Sequence, residues 1–194
     1  MKIKIPNILT IGRIILVPIF VITFYIPGFL GDLIPFFIFF LASFTDFLDG
    51  LLARLYKEES KLGELLDPIA DKIIVAAALV LLVMNDMIRN YEVIAAIIIL
   101  TREILISGLR EFLAKSQVSM PVTGLAKFKT FIQMFAIAIL LTGESGNRLI
   151  NFQDYNAHTI GIILLWVAAF LTLYTGYDYV RKGINHAMFN DKKN

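Results

Sequence analysis

The sequence predicts an all-α membrane protein, a single bundle of six transmembrane helices spanning residues 1–194, and three observations lead there. The chain is 58% hydrophobic with a mean hydropathy of +0.75, where soluble domains hold about 45–50% apolar residues. Six segments, residues 8–27, 33–52, 66–84, 91–113, 128–141 and 159–179, approach the roughly 20 apolar residues that cross a bilayer as a helix. Basic residues are distributed unevenly between the intervening segments, as they are in multi-pass proteins.

The spans are delimited by turn chemistry. Pro27-Gly28 with Gly31-Asp32 separates the first two, and a charged stretch at 57–61 the next two. Residues 85–90, 117–124 and 143–156 separate the remainder, and all three read as loops. The fifth span is the shortest. Residues 2–7 are expected to lie on the membrane surface ahead of the first span. The opening MKIKIPNILT has two lysines but no small-residue cleavage site behind the apolar run, so that run reads as a retained span.

Of eighteen Lys and Arg, only Arg89 and Arg148 fall on the side reached after odd-numbered spans. Lys2, Lys4, Lys57, Lys61, Lys115, Arg181, Lys182, Lys192 and Lys193 flank the other side. The positive-inside rule then places both termini in the cytoplasm, in agreement with an even number of spans. The compact size and the lack of a transit peptide point to a bacterial inner membrane. A net charge of +2 gives no basic face for nucleic acid, and the absence of cysteine excludes disulfides, thiolate metal sites and cysteine nucleophiles.

The chemistry is concentrated in DFLDGLLARLYKEESKLGELLDPIADK, Asp46 to Lys72. Asp46, Asp49, Gly50 and Ala53 stand at i, i+3, i+4 and i+7, one helical face. Gly63, Asp67 and Asp71 stand at i, i+4 and i+8, again one face. The short loop between them makes their helices antiparallel neighbours, so the carboxylates are expected to meet just inside the cytoplasmic interface. Clustered acids raise one another's pKa and are costly in a bilayer. Divalent cations relieve both penalties. Four aspartates without His or Cys suit a pair of hard ions, Mg²⁺ or Mn²⁺, about 3.5–4 Å apart. The competing reading, interhelical salt bridges, explains one such aspartate better than four on two facing stripes.

The spacing D-x2-D-G-x2-A-R-x8-G-x3-D-x3-D, filled here by Asp46, Asp49, Gly50, Ala53, Arg54, Gly63, Asp67 and Asp71, resembles the signature of the CDP-alcohol phosphatidyltransferases. IPNILTIGRIILVPIF, TREILISGLREFLA and GLAKFKTFIQM are similar to the branch of that family whose acceptor is sn-glycerol 3-phosphate, so the resemblance extends over nearly the whole chain. It implies six helices around a polar cavity open to the cytoplasm, usually in a homodimer. It also implies transfer of a phosphatidyl group from CDP-diacylglycerol to an alcohol with release of CMP, dependent on Mg²⁺ or Mn²⁺. Asp46, Asp49 and Asp67 would be metal ligands, and Asp71 both ligand and general base. Asp46, Gly50, Ala53, Arg54, Gly63 and Asp67 would line the nucleotide site.

A phosphorylated acceptor needs compensating cations beside four aspartates. Arg110, with Lys127 and Lys129 on the next span, is expected to hold the acceptor phosphate, the arginine fork bidentately. Lys127 and Lys129 have a second reading, snorkelling to lipid head groups. Asn7, Thr10 and Arg13 read either as substrate contacts or as two helix caps and a snorkelling arginine. Arg102 reads either as a substrate contact or as part of a structural network with Glu103. Tyr25, Tyr91, Tyr155 and Tyr179 fit an interfacial belt, and Trp166 fits packing. His158 and His186 lie on opposite sides of the membrane, which argues against a joint site; no role follows for Asp178. Serine, inositol phosphate and phosphatidylglycerol are alternative acceptors. A divalent-cation transporter is a different class of reading, but it would want acids along a through-path, and here they occupy one end.

Overall fold

The computed structural model describes residues 5–56, 61–115, 124–149, 151–152 and 155–190. Side chains are described for a smaller set that omits 5–10, 46–65, 67, 68, 71, 178 and 182–190, among others. The chain forms α1 (Ile5–Thr23), α2 (Phe29–Tyr56), α3 (Lys61–Met84), α4 (Glu92–Lys115), α5 (Gly124–Leu141), a short α6 (Gly143–Leu149) and α7 (Ala157–Asn190). Six of these correspond to the six apolar segments, each helix running past the apolar stretch into polar flanks because backbone hydrogen bonding continues where hydrophobicity stops.

Two expectations are corrected. The segment 143–156 is not a plain loop: it holds α6 and a two-residue antiparallel pair, β1 (Asn151–Phe152) with β2 (Tyr155–Asn156). Residues 5–7 belong to the first helix itself, not to a separate surface segment. Asn7 and Thr10 therefore lie within the first turns of α1; their side chains are outside the described residues.

Two helical stretches, Gly124–Leu141 and Ala157–Arg181, are long and apolar enough to cross a bilayer. Among the residues whose side chains are described, α1, α2 and α3 contribute the apolar stretches Ile11–Thr23, Phe29–Thr45 and Lys72–Met84. α4 carries Arg102 and Glu103 at its middle and Arg110 and Glu111 in its second half, which dilutes its hydropathy.

α7 packs on α5 and α4; α1 packs on α3 and α2; α2 and α3 touch each other and α5. The core combines large residues, among them Phe20, Phe39, Leu79, Leu82, Ile137 and Leu165, with alanines at 42, 78, 95, 96, 136, 168 and 169. Small residues let helix backbones approach closely, which is how helices associate where burial from water gives no driving force. The outward faces carry Ile22, Phe40, Phe131, Phe170 and other large apolar side chains, as a lipid-facing surface requires.

The α3–α4 turn uses two residues with positive φ, Asp86 (56°) and Asn90 (52°), the non-glycine types that tolerate that region. Met87 and Ile88 N–H both donate to the Leu82 carbonyl, at 2.9 and 3.1 Å, closing the end of α3.

Candidate active site

Positions 46, 49 and 53 of α2 continue, in helical register, the stripe formed by Pro35, Phe39 and Ala42, all buried. Phe37, Phe40, Leu41 and Phe44 occupy the opposite, exposed face. On α3, positions 63, 67 and 71 share a face with buried Ala70, Ile74 and Ala78, while Ile69, Ile73 and Val80 are exposed opposite. The four aspartate positions thus stand on the inward faces of two helices that touch. The side chains of Asp46, Asp49, Asp67 and Asp71, with Gly50, Ala53, Arg54 and Gly63, lie outside the described residues. Among the described residues no group of three or more His, Cys, Asp or Glu converges. Four aspartates without His or Cys are an oxygen-only donor set, the kind that suits hard divalent cations.

A second polar cluster joins α4, α5 and α7. Lys129 on α5 is 1% exposed and donates to Glu103 Oε1 of α4. The Arg102 guanidinium stands 3.6 Å from the same carboxylate oxygen. Arg102 is also fastened to α7: Nη2 donates to Thr175 Oγ1 at 3.1 Å, and the guanidinium carbon lies 5.9 Å from the Tyr179 ring centroid, in cation–π range. Gly176 makes room for this. A Cβ there would meet the Arg102 Cγ at 3.2 Å. Thr172, Thr175, Gly176 and Tyr179 fall at i, i+3, i+4 and i+7, so one face of α7 receives the arginine. One turn along from Lys129 is Gln133, also buried. Arg102 Nε, Gln133 Oε1 and Thr172 Oγ1 find no hydrogen-bond partner among the described residues.

A family model described as CDP-alcohol phosphatidyltransferase matches residues 3–174. The chain belongs to the CDP-alcohol phosphatidyltransferase family. It is 45% identical over 178 residues to the CDP-diacylglycerol–glycerol-3-phosphate 3-phosphatidyltransferase of Rickettsia felis, covering 92% of this chain and 94% of that protein. The Haemophilus influenzae protein of the same name is 43% identical over 183 residues, covering 93% and 94%. That of Cereibacter sphaeroides is 38% identical over 211 residues, covering 93% and 96%.

Several residues of this phosphatidyltransferase stand elsewhere than their types suggest. Arg13 is 2% exposed and inside the bundle, and Lys129 is buried against Glu103, so neither snorkels to lipid head groups. Arg110 and Lys127 are exposed. Tyr25 and Tyr91 are 72% and 81% exposed, as belt residues are, but Tyr179 is 6% exposed beneath Arg102. A buried guanidinium needs a π face and oxygen acceptors more than the interface needs another tyrosine. Sequence reading did not single out Glu103 as the partner of Lys129, nor Gln133, Thr172, Thr175 or Gly176. The available signal was the i, i+3, i+4, i+7 spacing of small and polar residues in α7 and the i, i+4 pair Lys129–Gln133 in α5.

Proposed function

We propose that this protein transfers the phosphatidyl group of CDP-diacylglycerol to sn-glycerol 3-phosphate, giving phosphatidylglycerophosphate and CMP in phospholipid biosynthesis. The observation that carries the reading is near full-length similarity to relatives bearing that name, joined to the unbroken eight-position signature from Asp46 to Asp71. The enzyme crosses a bacterial inner membrane six times with both termini in the cytoplasm, and acts as a homodimer on substrates drawn from that leaflet and the cytosol.

Asp46, Asp49, Asp67 and Asp71 would hold two divalent cations, Mg²⁺ or Mn²⁺, which would supply charge neutralisation at the pyrophosphate and at the leaving CMP. Asp71 accepts the proton of the acceptor hydroxyl as its oxygen attacks the phosphorus bearing diacylglycerol. The new oxygen–phosphorus bond forms as the bond to the CMP oxygen breaks, with no covalent enzyme intermediate. Gly50, Ala53 and Gly63 present no bulk to the nucleotide, and Arg54 supplies positive charge. Arg110 and Lys127, exposed at the ends of α4 and α5, draw in the acceptor phosphate, with Lys129 behind them. Asn7, Thr10, Arg13 and Arg102 are further candidate substrate contacts.

The test is CMP release by purified protein supplied with CDP-diacylglycerol, a divalent cation and one acceptor at a time. Release that depends on sn-glycerol 3-phosphate is expected. Preference for serine or inositol would reject the acceptor and leave the phosphatidyl transfer standing; no release with any alcohol would reject the transfer too.

A further inference from the structure

We infer that Glu103 is a specificity-determining residue whose carboxylate stands, in the substrate-free protein, where the acceptor's phosphate group sits in the complex. The inference rests on the reading that the acceptor is phosphorylated.

A buried ammonium in an apolar bundle needs a counter-charge, and Glu103 supplies it to Lys129. The three charged members are not equally fixed. Lys129 is 1% exposed, the Arg102 side chain 12% and that of Glu103 24%. Arg102 is held from α7 by Thr175, by the Tyr179 ring and by the clearance at Gly176. None of these contacts involves Glu103. Arg102 is therefore held against α7 independently of Glu103, and the carboxylate between the two cations is the member closest to the surface.

Carboxylate and phosphate oxygens accept from the same donors, and charge-assisted bonds to either are strong. Lys129 and Arg102 against one Glu103 leave this cluster one positive charge in excess. A phosphate dianion taking the carboxylate's place would balance it. Arg102 Nε, without a hydrogen-bond partner among the described residues, is a donor that a three-oxygen group can use. An uncharged or zwitterionic alcohol offers no such exchange, because displacing Glu103 would leave two buried cations uncompensated. Discrimination then comes from the cost imposed on the wrong acceptor as well as from contacts to the right one.

The experiment uses the full chain in detergent micelles, with Glu103→Gln and Glu103→Asp. Thermal unfolding is followed in chloride and in inorganic phosphate at equal ionic strength, and KM is measured for both substrates. Glu103→Gln should be less stable than wild type in chloride and gain more from phosphate than wild type does. Its sn-glycerol 3-phosphate KM should fall about fivefold or more, the lower end of usual coupling between two binding events, with the CDP-diacylglycerol KM unchanged. Glu103→Asp keeps the charge and should respond to phosphate as wild type does. If Glu103→Gln folds only in phosphate, that too supports the exchange. An equal phosphate response in Glu103→Gln and wild type overturns it, as does an unchanged or raised acceptor KM, or a Gln variant that folds in neither buffer. A purely structural Glu103 would lower stability and kcat with no phosphate-specific gain. Failure of the acceptor assignment is seen separately, in the wild-type acceptor panel, before any variant is made.

Discussion

The two ends of the bundle use polar residues in opposite ways. At the end where α1 meets α2, α3 meets α4 and α5 meets α7, polar side chains close the backbone. Asp32 Oδ2 accepts from Ser145 N–H at 2.9 Å and from its hydroxyl at 2.6 Å. This caps α6 from another helix, and Gly143 (φ +56°) keeps the approach open, since a Cβ there would stand 2.6 Å from Asp32 Oδ1. Asn147 Oδ1 accepts from His158 N–H at 2.8 Å, and His158 Nε2 stands 2.8 Å from the Met87 carbonyl. Asn156 caps α7 through Thr159 N–H and hydroxyl. These are neutral or capping bonds, each involving a backbone or hydroxyl group. The other end is different. There Arg102, Glu103 and Lys129 are charged, largely buried, and drawn from α4 and α5 onto α7, near the helices that carry the four aspartates. Polar groups at the first end fasten loops; those at the second hold paired charge in a low-dielectric place, where electrostatic interactions are strong.

That contrast predicts which substitutions cost activity and which cost stability. The largest effects belong to the aspartates. Asp67→Asn, and likewise Asp46→Asn or Asp49→Asn, should abolish most activity with folding retained, checked by turnover together with metal titration. A near-normal Asp67→Asn enzyme would remove the two-metal assignment. Asp71→Asn should still bind CDP-diacylglycerol and transfer it about 10²–10⁴-fold more slowly, the usual loss of a general base. Lost nucleotide binding would make Asp71 chiefly a ligand, and a normal rate would reject both roles.

Next comes Arg110→Ala, which removes a charge-assisted contact worth about 2–5 kcal/mol. It should raise the sn-glycerol 3-phosphate KM far more than the CDP-diacylglycerol KM. Equal changes in both would take Arg110 out of the acceptor site.

Lys129→Met removes the nearer of the two cations beside Glu103 and leaves Arg102 at 3.6 Å, where breaking a buried pair outright costs about 3–5 kcal/mol. Because Glu103 is 24% exposed, water recovers part of this, and a loss of about 3 kcal/mol or less is expected from chemical denaturation in micelles. Unchanged stability would contradict the ion pair as a contributor to folding.

The smallest effect belongs to the loop end. Asp32→Ala removes a trans cap and should cost about 1–2 kcal/mol with activity per folded molecule unaltered. If specific activity fell while stability held, the division between the two ends would be wrong.

How much of this was legible in the sequence follows from the range of the forces involved. Hydropathy, charge bias and turn residues act over a few neighbours, so the helices could be read along the chain, from the paired turn signals at Pro27-Gly28 and at 85–90 to the fifth, shortest span. The aspartate register was legible for the same reason. Spacings of three and four residues determine a helical face without reference to any other helix, and in the fold those positions continue the buried stripes of α2 and α3. α6 was missed because Gly143–Leu149 (GESGNRL) has the composition of a loop, and its first turn is capped by Asp32 from far along the chain.

Tertiary structure alone decided the fates of the basic residues. Lysine and arginine near span ends look alike in sequence whether they reach outward to head groups or inward to a carboxylate. Lys127 is exposed and Lys129 buried, two residues apart, because α5 turns only the second toward Glu103. Tyr179 likewise left the expected interfacial belt because α7 lies where Arg102 could use its ring. The sequence by itself determined the helices, the helical register of the four aspartate positions and the family. Which charges meet was decided by packing, because an ion pair is a property of two helices and no single stretch of chain encodes it.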